Sequence, residues 1–291
     1  MKNTPWELVL DYTCQLGEGP VWDAQNGRIL WVDILPGDIH SFTTASRGHR
    51  VFNVEQMVGA ITLLPSGKLL GALQHGFYEI SLEDRTLTPI ADPEAHLPNN
   101  RFNDGKLDPA GRFWAGTMDL NDKPEAGALY MLDHDGSVSV KIENVSCSNG
   151  LAWSRDERTL YFIDSPTRQV VAYDYDKATG SIRNRRVVVQ FEEADGLPDG
   201  MTIDGAGMLW IALWDGWSVV RYNPHTGKRL HQIALPAARI TSCAFGGDDL
   251  RYLFVTSAKT GLNQWELSEQ PLAGCLFAVE TQLNSRSGFD G

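Results

Sequence analysis

The chain has 291 residues, 42% hydrophobic, 10% aromatic and 21% charged, a composition that excludes intrinsic disorder and allows a large buried core. Its formal net charge of −12 excludes the broad basic footprint that nucleic acid or an anionic membrane surface demands. The four cysteines, Cys14, Cys147, Cys243 and Cys275, are far apart and match no histidine cluster, so they read as small buried residues with free thiols rather than a disulfide framework or a cysteine-rich zinc site.

The stretch Met1 to Trp6 lacks the apolar run of a secretory signal, and no segment approaches the roughly 20 apolar residues of a membrane span. A cytoplasmic protein is expected. A strand near Glu7 to Leu10 follows, and then one unit recurs six times: a short strand, a turn rich in Gly, Asp, Pro or Ser, a second strand with aromatic and branched residues, another turn and a third strand. The first copy has strands over 19–23, 29–33 and 39–42, with its turn at Asn26-Gly27. The second runs through 60–64, 69–72 and 77–80. The third has 105–107, the turn Asp108-Pro109-Ala110-Gly111, then 113–116 and 128–131. The fourth has 150–153, 160–164 and 170–173, and the fifth 201–203, the turn Asp204-Gly205-Ala206-Gly207, 209–212 and 219–222. The sixth has 243–245, 252–255 and 275–278.

Equivalent positions at the start of each copy are Glu18, Val58, Asp104, Asn149, Asp199 and Ser242, separated by 40, 46, 45, 50 and 43 residues. A period of about 45 residues suits three or four antiparallel strands per unit, the blade of a propeller. No segment shows a helical stripe. The expected fold is therefore all-β: one six-bladed β-propeller domain over residues 1–291 with a central metal-binding channel. The strand near Glu7 to Leu10 would pair with the last blade and remove an exposed edge. A large sandwich with irregular strands is the competing architecture.

In a propeller the innermost strands surround the axis, so Glu18, Asp104, Asn149 and Asp199, with Asn103 beside them, should meet at one mouth of the channel. Carboxylate and carboxamide oxygens suit hard divalent cations such as Ca²⁺, Mg²⁺ or Mn²⁺. Burying Glu18 and Asp199 together without a cation would raise the pKa of at least one. The same Asp-Gly and Asn-Gly pairs are also ordinary turn formers, and spacing alone leaves both readings open.

Several segments carry a resemblance. They are 16–22 (Leu-Gly-Glu-Gly-Pro-Val-Trp), 101–106 (Arg-Phe-Asn-Asp-Gly-Lys), 108–112, Ala115-Gly116-Thr117-Met118, Ser148-Asn149-Gly150-Leu151, Pro198-Asp199-Gly200-Met201 and 241–247. In order and at blade spacing, they make the chain resemble the gluconolactonase, regucalcin and luciferin-regenerating enzyme family over essentially its whole length. The resemblance implies one divalent metal ion held by Glu18, Asn149 and Asp199, whether Ca²⁺, Zn²⁺, Mn²⁺, Mg²⁺ or Fe²⁺. It also implies substrate contacts from Arg101 and Asn103 and a general-base role for Asp199. An acidic residue after the Gly-Thr-Met segment touches substrate in some relatives. Here Asp119 and Asn121 are the positions carried forward, within Asp119-Leu120-Asn121-Asp122.

The activity expected from the resemblance is metal-dependent opening of sugar lactones, with a small sugar lactone as partner and no nucleic acid or membrane. A non-enzymatic metal-binding platform on the same fold is one alternative; hydrolysis of other esters or organophosphates at the same metal is another. No Gly-x-Ser-x-Gly elbow and no His-x-x-x-His pair occurs, which weakens serine-hydrolase and zinc-protease schemes. Cys147 reads as a small packed residue rather than a nucleophile. Most tryptophans read as blade packing, while Trp214 and Trp217 could border the channel mouth.

Overall fold

The computed structural model describes residues 5–281; the first four residues of the segment read as free of a secretory signal lie outside them. Six four-stranded antiparallel sheets stand around a common axis. Their innermost strands are Gly17–Asp23, Val58–Leu63, Asn100–Leu107, Ser148–Trp153, Leu197–Ile203 and Arg239–Gly246, and these neighbour one another around a closed ring. The fold is the six-bladed β-propeller.

Ring closure follows the expected route. Glu7–Leu10 pairs antiparallel with Leu276–Glu280 and forms the outer strand of the last blade. Each other blade carries a fourth strand that the repeat pattern missed, such as Gly48–Asn53 or Lys228–Ala234. In these two, only Phe52 and Ile233 are buried, so no alternating apolar face marks them. A short helix, Gln264–Glu269, departs from the helix-free expectation; Asn263 and Glu266 cap it reciprocally. Six residues are too few to produce an apolar stripe. No helix among the described residues is long and apolar enough to cross a membrane.

The core is not one central mass but six apolar wedges, one between each pair of neighbouring blades. Phe77, Phe102 and Phe113 fill one of them; Trp210, Cys243, Phe245 and Phe277 fill another. Twisted sheets splay outward from an axis, and large aromatic side chains fill the widening gap.

A repeated turn ties the first two strands of two blades. Asp108, Gly111 and Trp114 have the same spacing as Asp204, Gly207 and Trp210. Asp108 Oδ1 accepts from the backbone N–H groups of Ala110 and Arg112, both at 2.9 Å. Its Oδ2 accepts from Trp114 Nε1 at 2.9 Å and Arg112 Nε at 2.7 Å. Asp204 repeats this with Ala206, Met208 and Trp210 Nε1. The glycine between lies at φ +83° in one turn and +78° in the other, a region glycine enters without steric cost. The aspartate thus caps the turn and anchors a core indole together.

Every innermost strand also carries one extra residue relative to its partner. Glu18 and Val21 face Val32 and Leu30, Phe102 and Asp104 face Thr117 and Gly116, and Pro198 and Met201 face Leu213 and Ile211. The other three blades shift register at the same point. Bulges re-aim side chains next to sites, and here they fall at 18–21, 102–104, 148–151 and 198–201.

Candidate active site at the propeller axis

Glu18, Asn149 and Asp199 are buried, as are Arg101, Asn103, Asp104 and Asp119. The candidate residues lie within their strands, not just ahead of them as the repeat alignment had it. The glycines after Asn149 and Asp199 are not turn residues either. Both sit within strands, and neither has a positive φ. A Cβ on Gly200 would fall 2.6 Å from Ser242 Cβ, and one on Gly150 would fall 2.8 Å from Asp199 O. Glycine is needed because adjacent inner strands press together at the axis, which decides against the turn reading.

A chain of hydrogen bonds orients the amides. Arg101 Nη1 donates to Asn103 Oδ1 at 2.7 Å and to Phe102 O at 3.0 Å. Asn103 Nδ2 donates to Ser148 O at 2.8 Å and to Asn149 Oδ1 at 3.2 Å. Asn149 Nδ2 in turn donates to Ser165 Oγ at 2.8 Å, and Ser165 Oγ donates to Pro198 O at 2.6 Å. Because Ser165 takes the amide nitrogen, the carbonyl oxygen of Asn149 is fixed on the opposite side, with a lone pair for a cation. Ser165 belongs to a short 3-10 turn after a second strand, where no repeat alignment would single it out.

Electrostatics converge on the acids. Burial raises the pKa of Glu18 well above its ordinary value, and the charges of Asp199 and Asp104 push it further. Burial and Asp104 likewise raise Asp199 well above the usual range, with a hydrogen bond from Glu18 offsetting part of the rise. Arg101 offsets part of it at both. Two acids that bear on one another out of water keep a proton or require a cation. Glu18, Asp199 and the oriented oxygen of Asn149 offer only oxygen donors, the chemistry that a hard divalent ion takes. The charge of Lys106 bears on Asp104, and Lys106 Nζ donates to Met201 O at 2.9 Å, from the inner strand of the third blade to that of the fifth.

The pKa rises predict an unusual pH dependence of metal-free stability. An acid whose folded-state pKa lies above its unfolded value binds its proton more tightly when folded. It stabilises the fold fully below the unfolded pKa, and that contribution is lost as pH rises through the folded pKa. Chelator-treated protein should therefore become less resistant to urea as pH rises above the ordinary carboxylate range, and Glu18→Gln should flatten that slope. Equal slopes in the two proteins would show that burial and the neighbouring acids do not raise the pKa of Glu18.

The other candidates divide. Asp119 Oδ1 accepts from the Asn121 backbone N–H at 2.7 Å, and Asn121 is exposed. Asp122, not carried forward from the sequence, is the acid of that segment whose charge bears on both Arg101 and Cys147. Cys147 is half-buried, with Sγ 3.7 Å from the amide nitrogens of both Asn103 and Asn149. Burial pushes its thiol up to about 12, which keeps it protonated at neutral pH and unsuited to nucleophilic attack. All four cysteines are free. Trp214 pairs with Leu197 at the site end of the fifth blade and lies under Arg239; Trp217 is 45% exposed.

Fold and site together define a propeller whose inner strands gather buried oxygen donors at the axis. Residues 16–259 match the family described as SMP-30/Gluconolactonase/LRE-like region, and the chain belongs to that family. It is 42% identical to regucalcin of Danio rerio over 96% of this chain and 95% of that one. It is 41% identical to YvrE of Bacillus subtilis (strain 168), provisionally named a sugar lactone lactonase, over 94% of each chain. Among solved structures it is similar to a calcium-binding regucalcin from Agrobacterium tumefaciens (TM-score 0.92, 29% identity, covering 96% of this chain and 94% of that one). A luciferin-regenerating enzyme superposes with a TM-score of 0.87 at 31% identity, covering 95% and 96%.

Proposed function

We propose that the protein is a metal-dependent hydrolase that opens sugar lactones, aldonolactones in particular, to the corresponding sugar acids. Glu18, Asn149 and Asp199 would hold its single divalent cation. What supports this reading is a pair of buried acids whose charges bear on one another, Glu18 and Asp199, together with an amide oxygen oriented by Ser165, in a family whose relatives include one provisionally named a sugar lactone lactonase. Calcium is the first candidate ion, because a structural relative is described as calcium-binding and the donors are all hard oxygens. Zn²⁺, Mn²⁺, Mg²⁺ and Fe²⁺ are to be compared with it.

When bound, the cation supplies Lewis acidity toward the ester carbonyl. The rest falls to the chain. Asp199 takes the proton from the water that attacks the carbonyl carbon, and the ring C–O bond breaks as that proton passes to the departing oxygen, giving a hydroxy acid. Arg101, held by Asn103 Oδ1 and Phe102 O, turns its remaining N–H groups toward ring hydroxyls. Asn103 Oδ1 has a second lone pair for a hydroxyl donor. Asp119, Asn121 and Asp122 extend the same rim toward the far end of a sugar. A small polar substrate suits a cytoplasmic protein of this acidic charge, with neither nucleic acid nor membrane as partner.

Metal-loaded protein should release acid from a panel of aldonolactones in weakly buffered solution, and chelation should abolish the rate. If no lactone opens faster than it does spontaneously, the assignment fails. Ser165→Ala should keep the fold and weaken metal binding by about 10- to 100-fold, the usual cost of losing a group that orients a ligand. Unchanged affinity by competition titration would remove Ser165 from that role.

A further inference from the structure

Away from the axis, where the chain enters the ring, a second group of donors is buried. Cys14 lies just after the closing strand, Asp33 ends the second strand of the first blade, and His40 lies on the third. Their side chains are 1%, 3% and 0% exposed. One ligand atom from each lies within 4.8 Å of the others, and Cys14 Sγ is 3.9 Å from His40 Nε2. Zinc–sulfur and zinc–nitrogen bonds of about 2.3 and 2.1 Å place sulfur and nitrogen roughly 3.5 Å apart on one tetrahedral ion. The sulfur–nitrogen spacing needs to close by only a few tenths of an ångström, and the Asp33 oxygen, within 4.8 Å of both, completes the set by a side-chain adjustment.

The surroundings prepare each donor. His40 Nδ1 lies 3.0 Å from His49 Nε2, and the two rings are parallel within 4° and stacked on Trp31. With Nδ1–H donating to His49, His40 presents the lone pair of Nε2 toward the thiol, the arrangement in which a second group sets the tautomer of a metal-bound histidine. Burial and His49 hold His40 down at about 4, so it is neutral and competent to bind. Burial and the charge of Asp33 push the Cys14 thiol up to about 12. The hydrogen bond from Trp31 Nε1 to Cys14 Sγ at 3.4 Å offsets part of that rise, so the site holds a thiol whose proton a metal must displace. Asp33 accepts from the backbone N–H groups of Gln15 and Leu16, each at 2.8 Å, and so fixes the loop while keeping lone pairs free. His49 and the exposed Tyr12, whose ring is 5.0 Å from that of His40, lie on the solvent side.

We propose that Cys14, His40 and Asp33 form a second cation site, selective for a thiophilic ion such as Zn²⁺, that staples the amino-terminal segment to the first blade. Binding replaces the Cys14 S–H proton with the metal, releasing one proton per ion; His40 is already unprotonated. The site differs from the axial one in chemistry, since sulfur and imidazole donors select borderline-soft ions that an all-oxygen set does not. It also has a mechanical consequence. Cys14 N donates to Gly274 O at 2.8 Å, so an ion here would join both ends of the ring to blade 1.

The probe is Co²⁺, whose bond to thiolate gives a sulfur-to-metal charge-transfer absorption in the near ultraviolet. Full-length protein should develop this band, release a proton on loading, and unfold at a higher temperature in Zn²⁺. The band should persist in Cys147→Ser, which removes the cysteine in contact with Asn103 and Asn149, and vanish in Cys14→Ser. His40→Gln, which keeps the thiol, should lose about tenfold or more in affinity. No band in the wild-type protein, or a band that follows Cys147 instead of Cys14, overturns the proposal. Lactone turnover is not the readout, so the axial assignment can fail without affecting this one.

Discussion

Asp199→Asn should lower lactone turnover by about a hundred- to ten-thousand-fold, the range a positioned proton acceptor contributes, while leaving the propeller intact. Asparagine keeps the shape of a protonated aspartic acid but cannot accept the proton of water, and it gives the cation one charge less. The stability outcome separates this from general damage. Glu18 and Asp199 are both pushed toward the protonated form by burial and by neighbouring acids. Removing one acid removes that conflict. The metal-free variant should therefore be at least as resistant to unfolding as metal-free wild type, with the gain growing as pH rises. Turnover near the wild-type value would end the role of Asp199 as base. A drop in metal-free stability would show that the two acids are not in conflict.

Asp108→Ala should destabilise the protein by about 3–5 kcal/mol, the cost of stripping a buried charge of its partner. Asp108 accepts hydrogen bonds from Arg112, Trp114 and Tyr175 side chains and from two turn amides. The paired side chains of Arg112 and Asp108 are 4% and 0% exposed. Alanine leaves the guanidinium buried with Tyr175 OH and Lys177 O as its neighbours, and leaves the Trp114 indole N–H unmatched. The contrasting variant is Asp174→Ala. It breaks an ion pair with Arg186 whose side chains are 44% and 45% exposed, and in water such a pair is worth little. Chemical denaturation of both should separate them clearly. Similar midpoints would mean that the turn network between blades 3 and 4 contributes nothing beyond a surface pair.

What the sequence carried follows from which interactions are local. Strand, turn and strand alternate within each blade, so a period of about 45 residues and turns such as Asp108 to Gly111 were legible without coordinates. The outer strands were not, because a strand such as Lys228–Ala234 buries only Ile233 and loses the alternation that betrays a strand. Nor was the helix at Gln264–Glu269, too short for a periodic signal. Glu18, Asn149 and Asp199 could be selected because they recur at equivalent positions and sit in the resembling segments. Ser165 could not, because its importance lies in one hydrogen bond to Asn149 from a turn outside the repeat.

The sequence by itself determined the repeat, the all-β class and the residue types that gather at the axis, since each is written in spacing and composition. Only the tertiary structure decided how those side chains stand to one another. It took closure of the ring to bring together acids 181 positions apart, Glu18 and Asp199, and to press Gly200 against Ser242. The same closure packed Cys14 beside His40. Contacts between residues so far apart in the chain cost entropy that only the completed core repays, and no local pattern records them.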